Sequence, residues 1–443
     1  MEIKLSEHFT FGKLLKFVFP SVVMMVFTSI YNVVDGFFVS NFVGKASFAA
    51  VNLITPLLML GGAIGFMIGT GGSALVAKLL GAGDKEKANC IFSLLIYATI
   101  VISMVLSVCG MIFFKRIAFR LGARGEVLED CVRYGMILMP ALVMFLLQNE
   151  FQSFLIVAEK PKLGLALTVA AGLTNIVLDA LFVAIFRWGL AGAAWATVIS
   201  QCIGGLVPLA YFIKPNKTPL RLTKTKLDRS ALLKTFTNGS SELMSNISMS
   251  VVSMLYNFRL IRFAGENGVA AYGVIMYIGF VFSAIFFGYM LGSSPIVSYH
   301  FGAENRSELK NIFRKSAVFI AVIGVAMTAI AIVSAPLIAH IFVGYDEQLR
   351  ELTIRALTLY SFAFLFTGFN IFGSAFFTAL NDGFISALIS FLRTLVFEVA
   401  AVLVLPELFG IDGVWLSVTA AECAALAVTL ACFIKMRKTY GYA

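Results

Sequence analysis

Long apolar runs broken by short polar segments dominate this chain. Twelve runs, each long enough for the ~20 residues that a helix needs to cross a hydrocarbon core, fall near 14–41, 47–77, 90–113, 132–158, 163–186, 190–213, 236–263, 270–300, 314–342, 353–380, 384–408 and 412–435. The runs are continuous and lack the period-two alternation of a barrel strand, so helices are predicted, which satisfy their own backbone groups in lipid. The expected fold is an all-α polytopic membrane protein with twelve transmembrane helices. Composition agrees, with 60% hydrophobic and 13% charged residues, far from the mix of a soluble domain. Residues 1–13 are polar and the first run is too long for the core of a signal peptide, so insertion without cleavage is expected.

The polar segments show that the chain is written twice. GFMIGTGGSALVAKLLGAGDKEKANCIF (65–92) resembles GYMLGSSPIVSYHFGAENRSELKNIF (288–313), with matching Gly-Ala pairs at 81–82 and 302–303. The same 221-residue offset relates Phe42 and Gly44 to Phe263 and Gly265, Asn149 to Asn370, GLAG (189–192) to GIDG (410–413) and FIK (212–214) to FIK (433–435). Six spans per copy is an even number, so the copies enter the membrane in the same orientation, as parallel repeats. Two pseudo-symmetric six-helix lobes are therefore predicted, residues 1–213 and 236–443, joined by a polar connector at 214–235. That architecture is the one expected of an alternating-access transporter working as a monomer.

Charge sets the orientation. Of 34 Lys and Arg residues, 22 lie in loops on the side of the N-terminus, 11 in the opposite loops, and one, Arg393, within a span. Cytoplasmic loops carry the cations, so both termini are expected in the cytoplasm and the protein in a prokaryotic plasma membrane. The loop 115–133, with five cations on the predicted outer side, runs against this bias. The net charge of +10 thus reflects topology and implies no nucleic-acid partner. The six cysteines form no CxxC pair and read as small packing residues. Gly61, Gly65 and Gly69 line one helix face for close packing, and six prolines within spans (Pro20, Pro56, Pro140, Pro208, Pro295, Pro336) mark sites for bends.

Acids inside spans are the candidate chemistry, because an ionised Asp at a helix centre costs ~2.5–3.5 kcal/mol on insertion scales. Asp35 lies in the outer half of the first span and Asp179 at similar depth in the fifth. Asn175 precedes Asp179 by one turn on the same face, and Thr197 of the sixth span adds a hydroxyl. Two carboxylates, an amide and a hydroxyl are hard oxygen ligands suited to a small cation such as Na⁺. The same pair suits a proton, since two carboxylates a few ångströms apart cannot both ionise cheaply. The sequence leaves H⁺ and Na⁺ open. At the 221-residue offset Asn175 becomes Val396, Asp179 Ala400, Thr197 Val418 and Asp35 Tyr256, or Leu260 if the Tyr-Asn pairs at 31–32 and 256–257 are aligned instead, so the cluster belongs to one lobe. Asn149, Glu150, Glu242, Tyr31 and Tyr256 are candidates for a substrate cavity. Glu398 is placed to pair with Arg393, and Glu422 has no assigned role.

Enzyme chemistry is not expected. The three histidines are far apart, and HExxH, Walker and GxSxG motifs are absent. No cofactor is called for beyond the coupling ion.

GTGGSALVAKLLGAGDKEKA (69–88), TNIVLDALF (174–182), GLAGAAWATVISQ (189–201) and SSPIVSYHFGAENRSELK (293–310) resemble the multidrug and toxic compound extrusion (MATE) family, in its bacterial DinF-like and MepA-like branches. The resemblance implies cation-coupled export of small organic, cationic amphipathic compounds by alternation of two lobes. It also implies a first-lobe cation site of Asp35, Asn175, Asp179 and Thr197. Ile156, Ser294 and Asn238 depart from the family's Arg, Gln and Pro at those places. A flippase for a lipid-linked or polysaccharide precursor is the alternative; it would need cations in its cavity, and only Arg259, Arg262 and Arg393 lie in or near spans.

Overall fold

The computed structural model describes residues 3–443, apart from the side chains of eight positions between 32 and 48. The N-lobe holds α1 (Phe11–Phe42), α2 (Lys45–Gly81), α3 (Lys85–Arg120), α4 (Gly125–Val157), α5 (Pro161–Asp179), which continues as a π-helical stretch (Ala180–Ile185), and α6 (Gly189–Ile213). The C-lobe holds α7 (Arg229–Gly302), α8 (Arg306–Val343), α9 (Glu347–Ser361), α10 (Phe364–Ala379), α11 (Gly383–Phe391), a second π-helical stretch (Leu392–Phe397), α12 (Glu398–Phe409) and α13 (Ile411–Tyr440). Among the described residues, ten helices are long and apolar enough to span, counting each π-helical stretch with its helix, and α9 with α10 form an eleventh bent by 47°. The twelfth lies within α7. At about 1.5 Å per residue its 74 residues far exceed a ~30 Å hydrocarbon core, and it breaks at Gly265 (φ 59°, ψ −147°).

That break is the copy of the turn between α1 and α2, where Gly44 has φ 115°. Left-handed backbone recurs at the same offset elsewhere: Gly83 with Glu304, and Gly189 with Gly410. Glycine takes that conformation without steric penalty, and Glu304 is the exception in this set. The caps repeat too. Asp84 accepts from Lys87 N at 3.0 Å and Asn305 from Glu308 N at 3.1 Å, supplying oxygens to amides that would otherwise lack a partner.

The lobes meet along a seam that obeys the same pseudo-symmetry. A Cβ on Gly81 would lie 1.9 Å from Tyr299 O, and one on Gly302 1.9 Å from Lys78 O. Likewise Gly239 faces Met67 O at 1.9 Å while Gly288 faces the backbone of Ser21 and Val22. Only glycine permits these backbones to approach so closely. Asn238 ties the seam by donating to Gly71 O (3.3 Å) and Thr378 O (2.9 Å). The N-terminal segment adds a strap: Leu5 N donates to Glu159 Oε1 (2.8 Å) in the N-lobe, and Phe9 N to Glu308 Oε1 (2.9 Å) in the C-lobe. Both termini and the connector lie at this end, where Arg221 N donates to Asn89 Oδ1 and Gly441 packs on Arg306.

Within the N-lobe, Gly61, Gly65 and Gly69 all face α4; a Cβ on Gly65 would stand 2.7 Å from Leu146 O. The predicted small-residue face is thus the α2–α4 contact. The six prolines lie inside α1, α2, α4, α6, α7 and α8, and the cysteines are free thiols.

Candidate functional site

Asp179 is the last α-helical residue before the π-helical stretch of the fifth span, a distortion that recurs at functional sites. It is fully buried and Asn175, one turn earlier, is 3% exposed. Asp35 on α1 faces Asp179, and their carboxyl groups interact directly. Asp35 Oδ1 and both Asp179 oxygens are nevertheless buried without a formed hydrogen bond. Tyr31, one turn before Asp35, lies within electrostatic reach of it. Thr197 donates to Ala193 O (3.0 Å) in its own helix and reaches the pair through Tyr134 of α4.

Tyr134 was not among the predicted residues. Its hydroxyl lies near Thr197, and both carboxylates lie within electrostatic reach. A buried tyrosine usually finds a polar partner, but nothing in the sequence marks this one against the other tyrosines. The resulting centre draws on α1, α4, α5 and α6, and neither acid has an ion-pair partner among the described residues. Orphaned carboxylate oxygens beside an amide, a phenol and a hydroxyl fit a small hard cation or a proton.

The predicted cavity residues do not converge on one place. Tyr31 joins the acid pair. Asn149 donates to Gly62 O at 3.3 Å, knitting α4 to α2. Glu150 is 0% exposed, beside Thr99 of α3. Glu242 lines a pocket at the seam with Thr70, Ser73, Ser294 and Thr378. Tyr256 is buried in the C-lobe, stacked on Tyr272 at 5.0 Å.

One expectation is corrected. The ion-pair partner of Arg393 is Glu422 of α13, not Glu398 in the neighbouring turn. Arg393 Nε lies 2.9 and 3.1 Å from the Glu422 oxygens and Nη2 2.8 Å from Oε1. Glu422 also accepts from Asn370 Nδ2 at 2.7 Å, and Thr429 donates to Asn370 Oδ1 at 2.9 Å. Guanidinium and carboxylate can pair through several bonds only when they meet end on, which the neighbouring helix allows.

With this geometry in hand, the chain can be set against known proteins. The MatE family model matches residues 20–181 and again 243–403. The chain belongs to the MATE family of transporters. The double match lies on the two copies. This MATE chain is 25% identical to the multidrug export protein MepA of Staphylococcus haemolyticus over 98% of its own length and 96% of the relative. It is 24% identical to MepA of Staphylococcus aureus strain MRSA252, over 97% and 95%. Among solved structures, a MATE in complex with MaL6 superposes with a TM-score of 0.93 at 23% identity, covering 99% and 98% of the two chains. A multidrug resistance MATE transporter in an outward-facing conformation gives 0.92 at 24% identity with the same coverage. The all-α, two-lobed MATE fold is thereby established.

Proposed function

We propose that this MATE transporter is an antiporter that exports amphipathic organic cations in exchange for H⁺ or Na⁺, by alternating access of its two lobes. The observation that carries the proposal is the Asp35–Asp179 pair, with Asp179 fully buried and Asp35 half-buried, no ion-pair partner for either among the described residues, and Asn175, Tyr134 and Thr197 around it. Leaving two acids in such a setting is expensive unless a cation accompanies them. Entry of that cation from outside neutralises the pair and lets α1 and α5 pack closer. Departure restores mutual repulsion and pushes them apart. Either change alters the α1 surface, whose other face forms the seam at Ser21 and Val22, so cation occupancy and lobe contact are linked.

With both termini cytoplasmic, the close approach of Gly81 to Tyr299 and of Gly302 to Lys78 lies toward the inner face. Cavity residues at or near the seam, Glu242 foremost, then meet the substrate. The acid-rich interior favours this reading over the flippase, whose phosphate cargo would need free cations, whereas Arg393 is committed to Glu422 and Arg259 to Glu407. The test is dye efflux from cells expressing Asp35→Asn or Asp179→Asn at matched protein levels. Efflux should fall to the background of empty cells in both, and wild-type efflux in both would remove the coupling site.

A further inference from the structure

The C-lobe lost the acid pair yet holds a polar centre of its own. Arg393 and Glu422 neutralise each other, with Asn370 and Thr429 completing the network. Glu398 stands beside this pair and has no ion-pair partner among the described residues. Three phenols come within electrostatic reach of its carboxylate: Tyr256 and Tyr272 from the two halves of α7, and Tyr360 from α9. Tyr256 is 2% exposed and its Oη has no hydrogen-bond partner. Its ring stacks on Tyr272 at 5.0 Å with the planes 14° apart, forming one aromatic wall. Glu398 and Tyr360 are half-buried.

We infer that Glu398, with Tyr256, Tyr272 and Tyr360, seats the charged head of an organic cation in the C-lobe. An acid without a counter-charge supplies the attraction. Aromatic walls and phenol oxygens supply a surface that favours cations whose charge is spread over carbon-bearing groups. A compact metal ion needs several oxygens closed around it; here one carboxylate and flat rings stand next to a guanidinium. The fixed Arg393–Glu422 pair holds the floor of the site and keeps Glu398 from collapsing onto Arg393. This inference rests on the exporter reading and adds where the cargo's charge sits.

The experiment uses the purified full-length protein in nanodiscs, with binding of tetraphenylphosphonium measured by equilibrium dialysis at fixed pH and Na⁺. Glu398→Gln should weaken binding at least about tenfold, and Tyr256→Phe and Tyr360→Phe each about threefold, the range of a single charge or polar contact to a cation. Glu398→Asp should recover most of the affinity. Nile red, a neutral probe, should bind Glu398→Gln as it binds wild type. Wild-type phosphonium affinity in Glu398→Gln overturns the site, as does an equal loss of the neutral probe. If Glu398→Gln does not yield monodisperse protein, unchanged affinity in both tyrosine variants overturns it. Failure of the parent reading shows separately, as wild-type protein that moves no dye under any ion gradient.

Discussion

In the N-lobe two carboxylates face each other on α1 and α5, with an amide, a phenol and a hydroxyl around them and no counter-charge among the described residues. At the equivalent positions of the C-lobe stand Tyr256, Val396, Ala400 and Val418, and charge returns elsewhere, as Arg393 bonded to Glu422. The backbones of the two lobes share left-handed residues at three equivalent pairs, 44 with 265, 83 with 304 and 189 with 410. What differs is how these two centres hold charge: Asp35 and Asp179 face each other as like charges, whereas Arg393 and Glu422 neutralise each other. An unpaired acid pair stores electrostatic strain that a mobile cation relieves, whereas a bonded pair is a fixed structural link whose disruption is destabilising. On the proposed coupling, the acid pair is the responsive centre and the Arg393–Glu422 pair the fixed one.

Four substitutions probe that contrast, from the strongest expected effect to the weakest. Gly239→Val places side-chain atoms where Met67 O already sits, so the closed seam cannot form. Transport should fall to background, and spin-label distances between the inner ends of α2 and α7 should lengthen. Arg393→Gln leaves Glu422 buried without its cation and should lower stability by about 3 kcal/mol, read as a large drop in thermal midpoint. Asp179→Asn in the other lobe should leave the midpoint unchanged or raise it, since functional strain is relieved. Opposite signs in the two lobes are the signature to look for; a drop of equal size in both would erase the distinction.

Tyr134→Phe removes one hydroxyl from the N-lobe centre, worth about 1 kcal/mol or roughly fivefold in cation affinity, measured as a shift in the cation concentration that half-saturates efflux. Replacing all six cysteines with serine should change efflux by less than about twofold, because the thiols are unpaired packing residues. That background also serves the spin-label measurement.

Much of this was legible in the sequence. The apolar runs placed the spans, the 221-residue register placed the copies, and the gap between the runs 236–263 and 270–300 is where the break at Gly265, the copy of Gly44, falls. The one-turn spacing of Asn175 and Asp179 marked the site because a carboxylate in an apolar helix has few structural reasons to be there. Three features were not legible. The merging of the seventh and eighth spans into one bent helix depends on whether the chain between them keeps helical geometry, which apolar patterning does not report. Tyr134 joins the centre through tertiary packing from α4, and a tyrosine is common enough in spans to pass unnoticed. The partner of Arg393 was misjudged because proximity along the chain stood in for proximity in space, and α13 approaches from 29 residues away.

The central claim is that the Asp35–Asp179 pair couples a cation gradient to movement of substrate. Reconstitution into vesicles with an imposed pH or Na⁺ gradient and a fluorescent cationic dye tests it directly. Wild-type protein should drive dye against its concentration gradient under one of the two ion gradients. Asp179→Asn should still bind the dye and let it run downhill, with no response to either ion. Gradient-driven accumulation by Asp179→Asn at the wild-type rate would contradict the account.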